Sequence, residues 1–339
     1  MTHEFKNIVQ QAFLAQSKSI KSVLASVVAL VGSSYRKPGV RMLVLENGDM
    51  VGAVSGGCVE KEIVSQSETV FKTGKAKIMT YDGRYRLGCE GVLYILLEVF
   101  QPQKTFKTAF FKCLENRQSF ELISYYKQEA GTFLGLGTHV NINKEKFSVS
   151  ETHIHIDTKE LSVFTQLMPP CFKLIIIGAE HDAVQLCHYA ASTGWEVTVV
   201  AGVSQPKSIG DFPGASHFIA STPEHLDVKF IDDETAIVLM THSFATDLRY
   251  LVSLHKTMPV YIGLLGPTKR RDDLITQFME YCPDIDYNFL ERIHGPAGLD
   301  IGSETPQEIA ISIIAEILAY SRSKNPISLS EKTGKIHTK

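Results

Sequence analysis

Residues 173–202 read KLIIIGAEHDAVQLCHYAASTGWEVTVVAG. The opening run is short, unbroken and apolar, the pattern of a strand covered on both faces. A helical stretch, EHDAVQLCHYAASTG, and a second buried run, WEVTVVAG, complete a βαβ unit. That unit commits the chain to a parallel sheet, because the crossover helix brings the second strand back beside the first. Further buried runs stand at TAIVLMTH and PVYIGLLG, and TPQEIAISIIAEILAYSR opens with Thr305 as an N-cap and Pro306 in the first turn. These segments predict a doubly wound, Rossmann-like C-terminal domain over 169–325. It begins at Pro169-Pro170, ends before a polar tail at 326–339, and seats ligands beyond the carboxyl ends of its strands.

The N-terminal half has a different rhythm. A helix is predicted over about residues 3–17, where Phe5, Ile8, Val9, Ala12 and Phe13 recur at three- and four-residue intervals. The runs SVLASVVALVGSS, RMLVLENG and DMVGAVSGG follow, with Asn47-Gly48 as the turn of an antiparallel pair. CVEKEIVSQSETVFKTGK reads as a helix ending near Gly74, and KIMTYDG and VLYILLEVF as strands. Residues 105–168 hold one helix and several alternating segments, among them FELISYY and THIHID. The expectation is an α+β domain over 1–168.

Composition narrows the function classes. The chain has 339 residues, long enough for two cores, and 34 Lys and Arg against 37 Asp and Glu give a net charge of -3. That balance calls for neither nucleic acid nor an anionic membrane as partner. With no apolar run of spanning length and no signal-like start, the expected location is the cytoplasm, where the cysteines at 58, 89, 113, 171, 187 and 282 stay reduced.

Several motifs carry possible chemistry. At the first Rossmann turn, Gly178-Ala179-Glu180-His181, a carboxylate stands where a dinucleotide fingerprint wants a second glycine. The second strand ends in Ala201-Gly202, without the acid that would hold an adenine ribose. Ordinary NAD(P) binding is therefore disfavoured. Thr241-His242-Ser243 lies at a strand end, either facing the crevice or supplying Ser243 as a helix cap. Gly263, Gly266 and the cations Lys269, Arg270 and Arg271 form either a phosphate cradle or a solvated helix start. The loop from Arg292 through His294, Gly295 and Asp300 reads as a shaped binding loop or a purely structural turn.

In the first half, the basic turn Arg36-Lys37-Pro38-Gly39-Val40-Arg41 is an anion site or a solvated loop. Cys58 follows Gly56-Gly57 at a helix start, a position that favours thiolate, although Glu60 and Glu62 oppose it. Cys89 sits beside Gly88 at another turn; either thiol can equally be a small buried residue. His153 and His155 share a strand face and read as a surface pair before a metal site.

Taken in order, RKPGVRMLV, GAVSGGCVEKEI, GCEG, IIIGAEHDA, VLMTHS, IGLLG and HGPAGLDIGSETPQEIA resemble the XdhC/CoxI family, the maturation factors of xanthine dehydrogenase and related molybdenum hydroxylases. The resemblance covers nearly the whole chain. It implies a non-enzymatic chaperone, homodimeric, that binds molybdenum cofactor as molybdopterin or its dinucleotide, meets a cysteine desulfurase, and passes the sulfurated cofactor to the hydroxylase. On that reading Cys58, with Cys89, lies at the molybdenum end, Cys58 as a transient metal ligand or guard. Gly56 and Gly57 admit the cofactor to the backbone, and Arg41 pairs with phosphate or pterin. Gly178, Ala179, His181, Thr241, His242, Gly263, Gly266, Arg270, His294, Gly295 and Asp300 build the rest of the cofactor site. Departures from the family pattern stand at Glu180, Ala201-Gly202, Phe244 and Glu90, whereas Gly56-Gly57-Cys58-Val59-Glu60 is intact. The alternatives are a nicotinamide-dependent oxidoreductase and a degenerate dimeric scaffold for the hydroxylase.

Overall fold

The structure is a computed structural model that describes residues 1–32, 37–83, 91–150 and 160–333. The chain divides into two compact units, with the division between Pro170 and Cys171.

The first unit runs α1 (Thr2–Ser17), β1 (Ser22–Gly32), β2 (Arg41–Leu45), β3 (Met50–Val51), α2 (Cys58–Thr73), β4 (Lys77–Asp82) and β5 (Gly91–Val99). It continues with α3 (Lys104–Glu115), β6 (Phe120–Tyr126), β7 (Gly137–Ile142), β8 (Glu145–Ser148) and β9 (Ser162–Met168). Five strands pair antiparallel in the order β3-β2-β1-β5-β4, and four more in the order β8-β7-β6-β9. The predicted hairpin at Asn47-Gly48 is present: Val44 faces Met50 and Leu43 faces Val51.

Alternation along the strands sorts the core. Val23, Ala25 and Val27 of β1 join Val59, Ile63 and Val70 of α2 on one side of the larger sheet. Leu24 and Leu43 face the other way, towards Phe5, Ile8 and Val9 of α1, with Phe106 and Phe110 of α3 and Phe120 of β6. Four phenylalanines interlock there, Phe5 to Phe110 edge-on at 5.7 Å and Phe110 to Phe120 at 5.3 Å. α2 ends as its sequence predicts, on Gly74 in the left-handed conformation, whose N–H bonds the Val70 carbonyl.

The second unit runs β10 (Lys173–Ile177), α4 (His181–Ser192), β11 (Glu196–Ala201), β12 (His217–Ala220), β13 (Thr235–Leu239), α5 (Phe244–Leu254) and β14 (Tyr261–Leu264). α6 (Thr268–Tyr281), α7 (Tyr287–Leu290), β15 (Ile293–His294) and α8 (Pro306–Ser321) follow. All six strands are parallel, in the order β12-β11-β10-β13-β14-β15. This is the Rossmann order, and it reverses between β10 and β13. Leu174 and Ile176 pack under α4 and α8, whereas Ile175 and Ile177 pack under α5, so each strand serves two helical layers. Thr305 caps α8 by accepting from the Glu308 N–H, while Glu308 reaches back to the Thr305 N–H. In the polar tail, Leu329–Glu331 make a single 3-10 turn. No helix among the described residues is long and apolar enough to cross a membrane.

Candidate functional site

In the first unit the feature most open to chemistry is the Gly56-Gly57-Cys58 turn. Gly57 adopts φ +126, a conformation that side-chain-bearing residues rarely reach, and turns the chain into α2 with Cys58 as the first helical residue. The Cys58 thiol is exposed. Among the described residues, a Cβ on Gly56 or Gly57 would meet nothing within 4 Å.

What holds the turn is Glu60, one helical step in. Its Oε1 accepts from the Val54 N–H at 2.8 Å and from the Ser55 N–H; its Oε2 accepts from the Ser55 hydroxyl at 2.6 Å and the Gly57 N–H at 2.8 Å. Burial works to raise the Glu60 pKa. The hydrogen bonds from Ser55 and Gly57 outweigh it and hold the carboxyl below its ordinary value. Sequence reasoning treated Glu60 only as a charge opposing the thiolate. Its i, i+3 spacing from the N-cap Gly57 places it for the half of a capping box in which the N3 carboxylate accepts from the N-cap N–H, Gly57 having no side chain to complete the other half.

Arg41 departs from expectation. It is buried rather than presented to a ligand, and its Nη1 donates to the Gly39 carbonyl at 2.8 Å and to Gln166 Oε1. The guanidinium carbon lies 5.9 Å from the centre of the Phe5 ring. Burial pulls the Arg41 pKa down to about 10, against the pull of Glu98 upward. Glu98, on β5, accepts from the Thr138 N–H at 2.8 Å, and burial pushes its carboxyl up to about 7. An arginine enclosed in this way is a core residue, not a phosphate clamp. Cys89, Glu90, Arg36, His153 and His155 lie outside the described residues.

In the second unit the loops after β10, β11, β12 and β13 surround a cavity of about 280 Å³ lined in part by Gly178, Ala179, Glu180, Gln205, Thr241 and Arg249. It lies at the strands' carboxyl ends, on the β11 side of the switch point. Gly178 is required by close approach: at φ +142, a Cβ there would overlap the Met240 carbonyl at the end of β13. Glu180 occupies the N-cap of α4 without capping it, and its Oε1 instead accepts from Gln205 Nε2 at 3.2 Å. His181 opens α4 and is exposed.

Across the switch point, Ser243 caps α5 by accepting from the Thr246 N–H, so the structural alternative for that residue is the one present. His242 is exposed, with φ +57. Asp247, only 2% exposed, gathers the loop: it accepts from the Thr241 hydroxyl at 2.6 Å, the Thr241 N–H at 3.3 Å and Arg270 Nη2 at 2.7 Å. Arg271 donates to the Gly295 carbonyl at 3.0 Å and pairs with Asp272. Two of the three cations opening α6 are thus matched by protein acceptors rather than left for a phosphate. Gly266 accommodates the Arg270 stem, which a Cβ would strike at 2.6 Å.

His294 is half-buried, stacked on Tyr261 with centroids 4.5 Å apart and set edge-on to Tyr320 at 4.4 Å. Its Nδ1 lies 3.4 Å from Glu316, which also accepts from the Tyr261 hydroxyl and, at 2.7 Å, from the Gly298 N–H. Burial raises the Glu316 pKa, but the bonds from His294, Tyr261 and Gly298 outweigh it and leave a lowered carboxyl. The 294–300 loop is thus tied to α8 through one carboxylate that no sequence motif announced, and Asp300 stands exposed at its end. Gly263 in β14 and Gly295 in the loop itself are both crowded, the first by Tyr261 and Ala297 and the second by the Arg271 stem and Leu264. Among the described residues no group of three or more His, Cys, Asp or Glu is arranged to hold a metal ion.

Order of strands, a switch-point cavity and an exposed thiol on a separate α+β unit define a two-unit protein with a Rossmann-type domain. The family model "XdhC and CoxI family" matches residues 15–82, and "XdhC Rossmann domain" matches residues 174–317. The chain belongs to the XdhC/CoxI family. It is 28% identical over 315 residues to a probable xanthine dehydrogenase subunit of Bacillus subtilis strain 168, covering 88% of this chain and 92% of that protein. It is 23% identical over 324 residues to the "Molybdenum cofactor insertion chaperone PaoD" of Escherichia coli K12, covering 94% and 89%. The crystal structure of a protein described as a xanthine dehydrogenase from Bacillus halodurans shares the fold, with a TM-score of 0.76 at 24% identity over 94% of this chain and 97% of that one.

Proposed function

We propose that the protein is a maturation factor that binds molybdenum cofactor and supports its sulfuration and insertion into xanthine dehydrogenase or a related molybdenum hydroxylase. The observation that carries this reading is Cys58: an exposed thiol on a glycine turn held by Glu60, which accepts from three backbone N–H groups and from the Ser55 hydroxyl. Such a thiol offers a preorganised soft ligand to a molybdenum atom carried as cargo, with no side chain on the preceding glycines to bar a bulky molecule. The names of the curated relatives support the role, one of them a molybdenum cofactor insertion chaperone. The rest of the proposal is a homodimer in the cytoplasm that receives sulfur through a cysteine desulfurase, with Cys89 as a second thiol beside the cargo.

The oxidoreductase alternative loses support at Glu180 and Ala201-Gly202, where the two contacts that define dinucleotide binding are replaced. Purified protein should carry molybdopterin, identified by mass, and should not bind NADH tightly. A deletion strain complemented with Cys58→Ala should lose most activity of the co-expressed hydroxylase while the variant stays folded. Full rescue by Cys58→Ala would overturn the thiol role and leave a scaffold.

A further inference from the structure

The Rossmann cavity has an unusual charge for its position. A dinucleotide site at this turn offers backbone N–H groups and no acid to a pyrophosphate. Here Glu180 stands at the turn with one carboxylate oxygen on Gln205 Nε2; no donor among the described residues bonds its Oε2. The only cation among the residues lining the cavity, Arg249, is already matched: its Nε and Nη2 reach Glu224 Oε1 at 2.7 and 2.6 Å. The Gln205 side-chain oxygen is a further buried acceptor without a donor. Of the two charged side chains lining the cavity, Glu180 is therefore the one without an ionic partner among the described residues. A phosphate is the wrong occupant; a flat group rich in N–H donors is the right one.

We propose that Glu180 receives the 2-amino-4-oxopyrimidine edge shared by pterins and guanine. In that edge a ring N–H and an exocyclic amine point the same way, so a carboxylate can accept from both at once. Adenine offers an acceptor nitrogen beside its amine and would set that nitrogen against the carboxylate. The cavity, about 280 Å³, is near the lower limit of ligand pockets, roughly 300–1,000 Å³, and suits one bicyclic ring system. Glu180 is thereby a specificity-determining residue, and the ligand enters this turn ring first. The pterin arm of this inference rests on the proposed cofactor role; the guanine arm does not.

Calorimetric titration of the full-length protein with neopterin, GMP, IMP and AMP tests it. IMP differs from GMP only by the exocyclic amine. Neopterin, GMP or both should bind about tenfold or more tighter than IMP and AMP, the discrimination expected of a bidentate pair. Glu180→Gln, which keeps the shape but gives up one acceptor, should bring the preferred ligand to within about twofold of IMP while leaving the melting temperature unchanged. Binding of neopterin alone assigns the site to a pterin, and binding of GMP alone to a guanine nucleotide; both keep the role of Glu180. IMP and AMP binding as tightly as GMP, no probe binding at all, or a preference unaffected by Glu180→Gln overturns it. Molybdopterin carried by the purified protein reads the cofactor role, and hydroxylase rescue with Cys58→Ala reads the thiol role, so a failure of either is distinguishable from a failure at Glu180.

Discussion

Glu60 and Glu98 are acids in one unit with opposite dependence on pH. Glu60 is stabilised as a carboxylate by donors around it, so its contribution is complete above its unfolded value near 4.5 and is lost as pH falls through its lowered folded value. Glu98, raised to about 7, binds a proton more readily folded than unfolded, so the unit loses stability as pH rises from about 4.5 to 7 and is level beyond. Hydrogen-exchange protection of the β5 amides should therefore decline across that window, and Glu98→Gln should flatten the decline. Glu60→Ala leaves the N–H groups of Val54, Ser55 and Gly57 without their acceptor, which costs about 1–3 kcal/mol. Denaturant unfolding reads that loss, and a disulfide reagent should label Cys58 faster once its turn is loosened. Of these residues only Glu60 announces its role locally, through its three-residue spacing from Gly57. Arg41 does not, because its partner Gln166 lies 125 residues along the chain and no local pattern encodes that meeting.

Among the elements, those with strong local periodicity are the ones that sequence reveals. β10, α4 and β11 follow from an apolar run, a helical repeat and a second apolar run, and α8 follows from its Thr305-Pro306 start. The side chains that shape the crevice are different: Gln205 meets Glu180 and Arg249 meets Glu224 across 25 residues each, through loops whose course depends on the finished sheet. Two substitutions separate these kinds of information. Thr305→Ala removes the α8 cap and should cost about 1 kcal/mol in equilibrium unfolding, with the fold retained. Gly178→Ala places a methyl group against the Met240 carbonyl and should cost several times as much, while also displacing the β10–α4 loop. A comparable loss for both would show that the loop yields more easily than its packing implies.

For the whole molecule, two different demands fall on two separately built units. The first holds an exposed thiol on a constrained turn, and the second supplies a switch-point cavity whose charges are mostly internal. The internal pairing of Arg249 with Glu224 and of Arg270 with Asp247 bears on kinetics as well as on contacts. A crevice with unpaired cations draws a phosphorylated ligand inward, and its association rate climbs as salt is removed. Here the positive ends are closed off by neighbouring carboxylates, so that acceleration should be absent. In stopped-flow measurements, the association rate of a nucleotide or pterin phosphate should change by less than about twofold between low and physiological ionic strength. Capture would then be governed by how often the ring meets the cavity in the right orientation, so that selectivity comes from fit and not from long-range attraction.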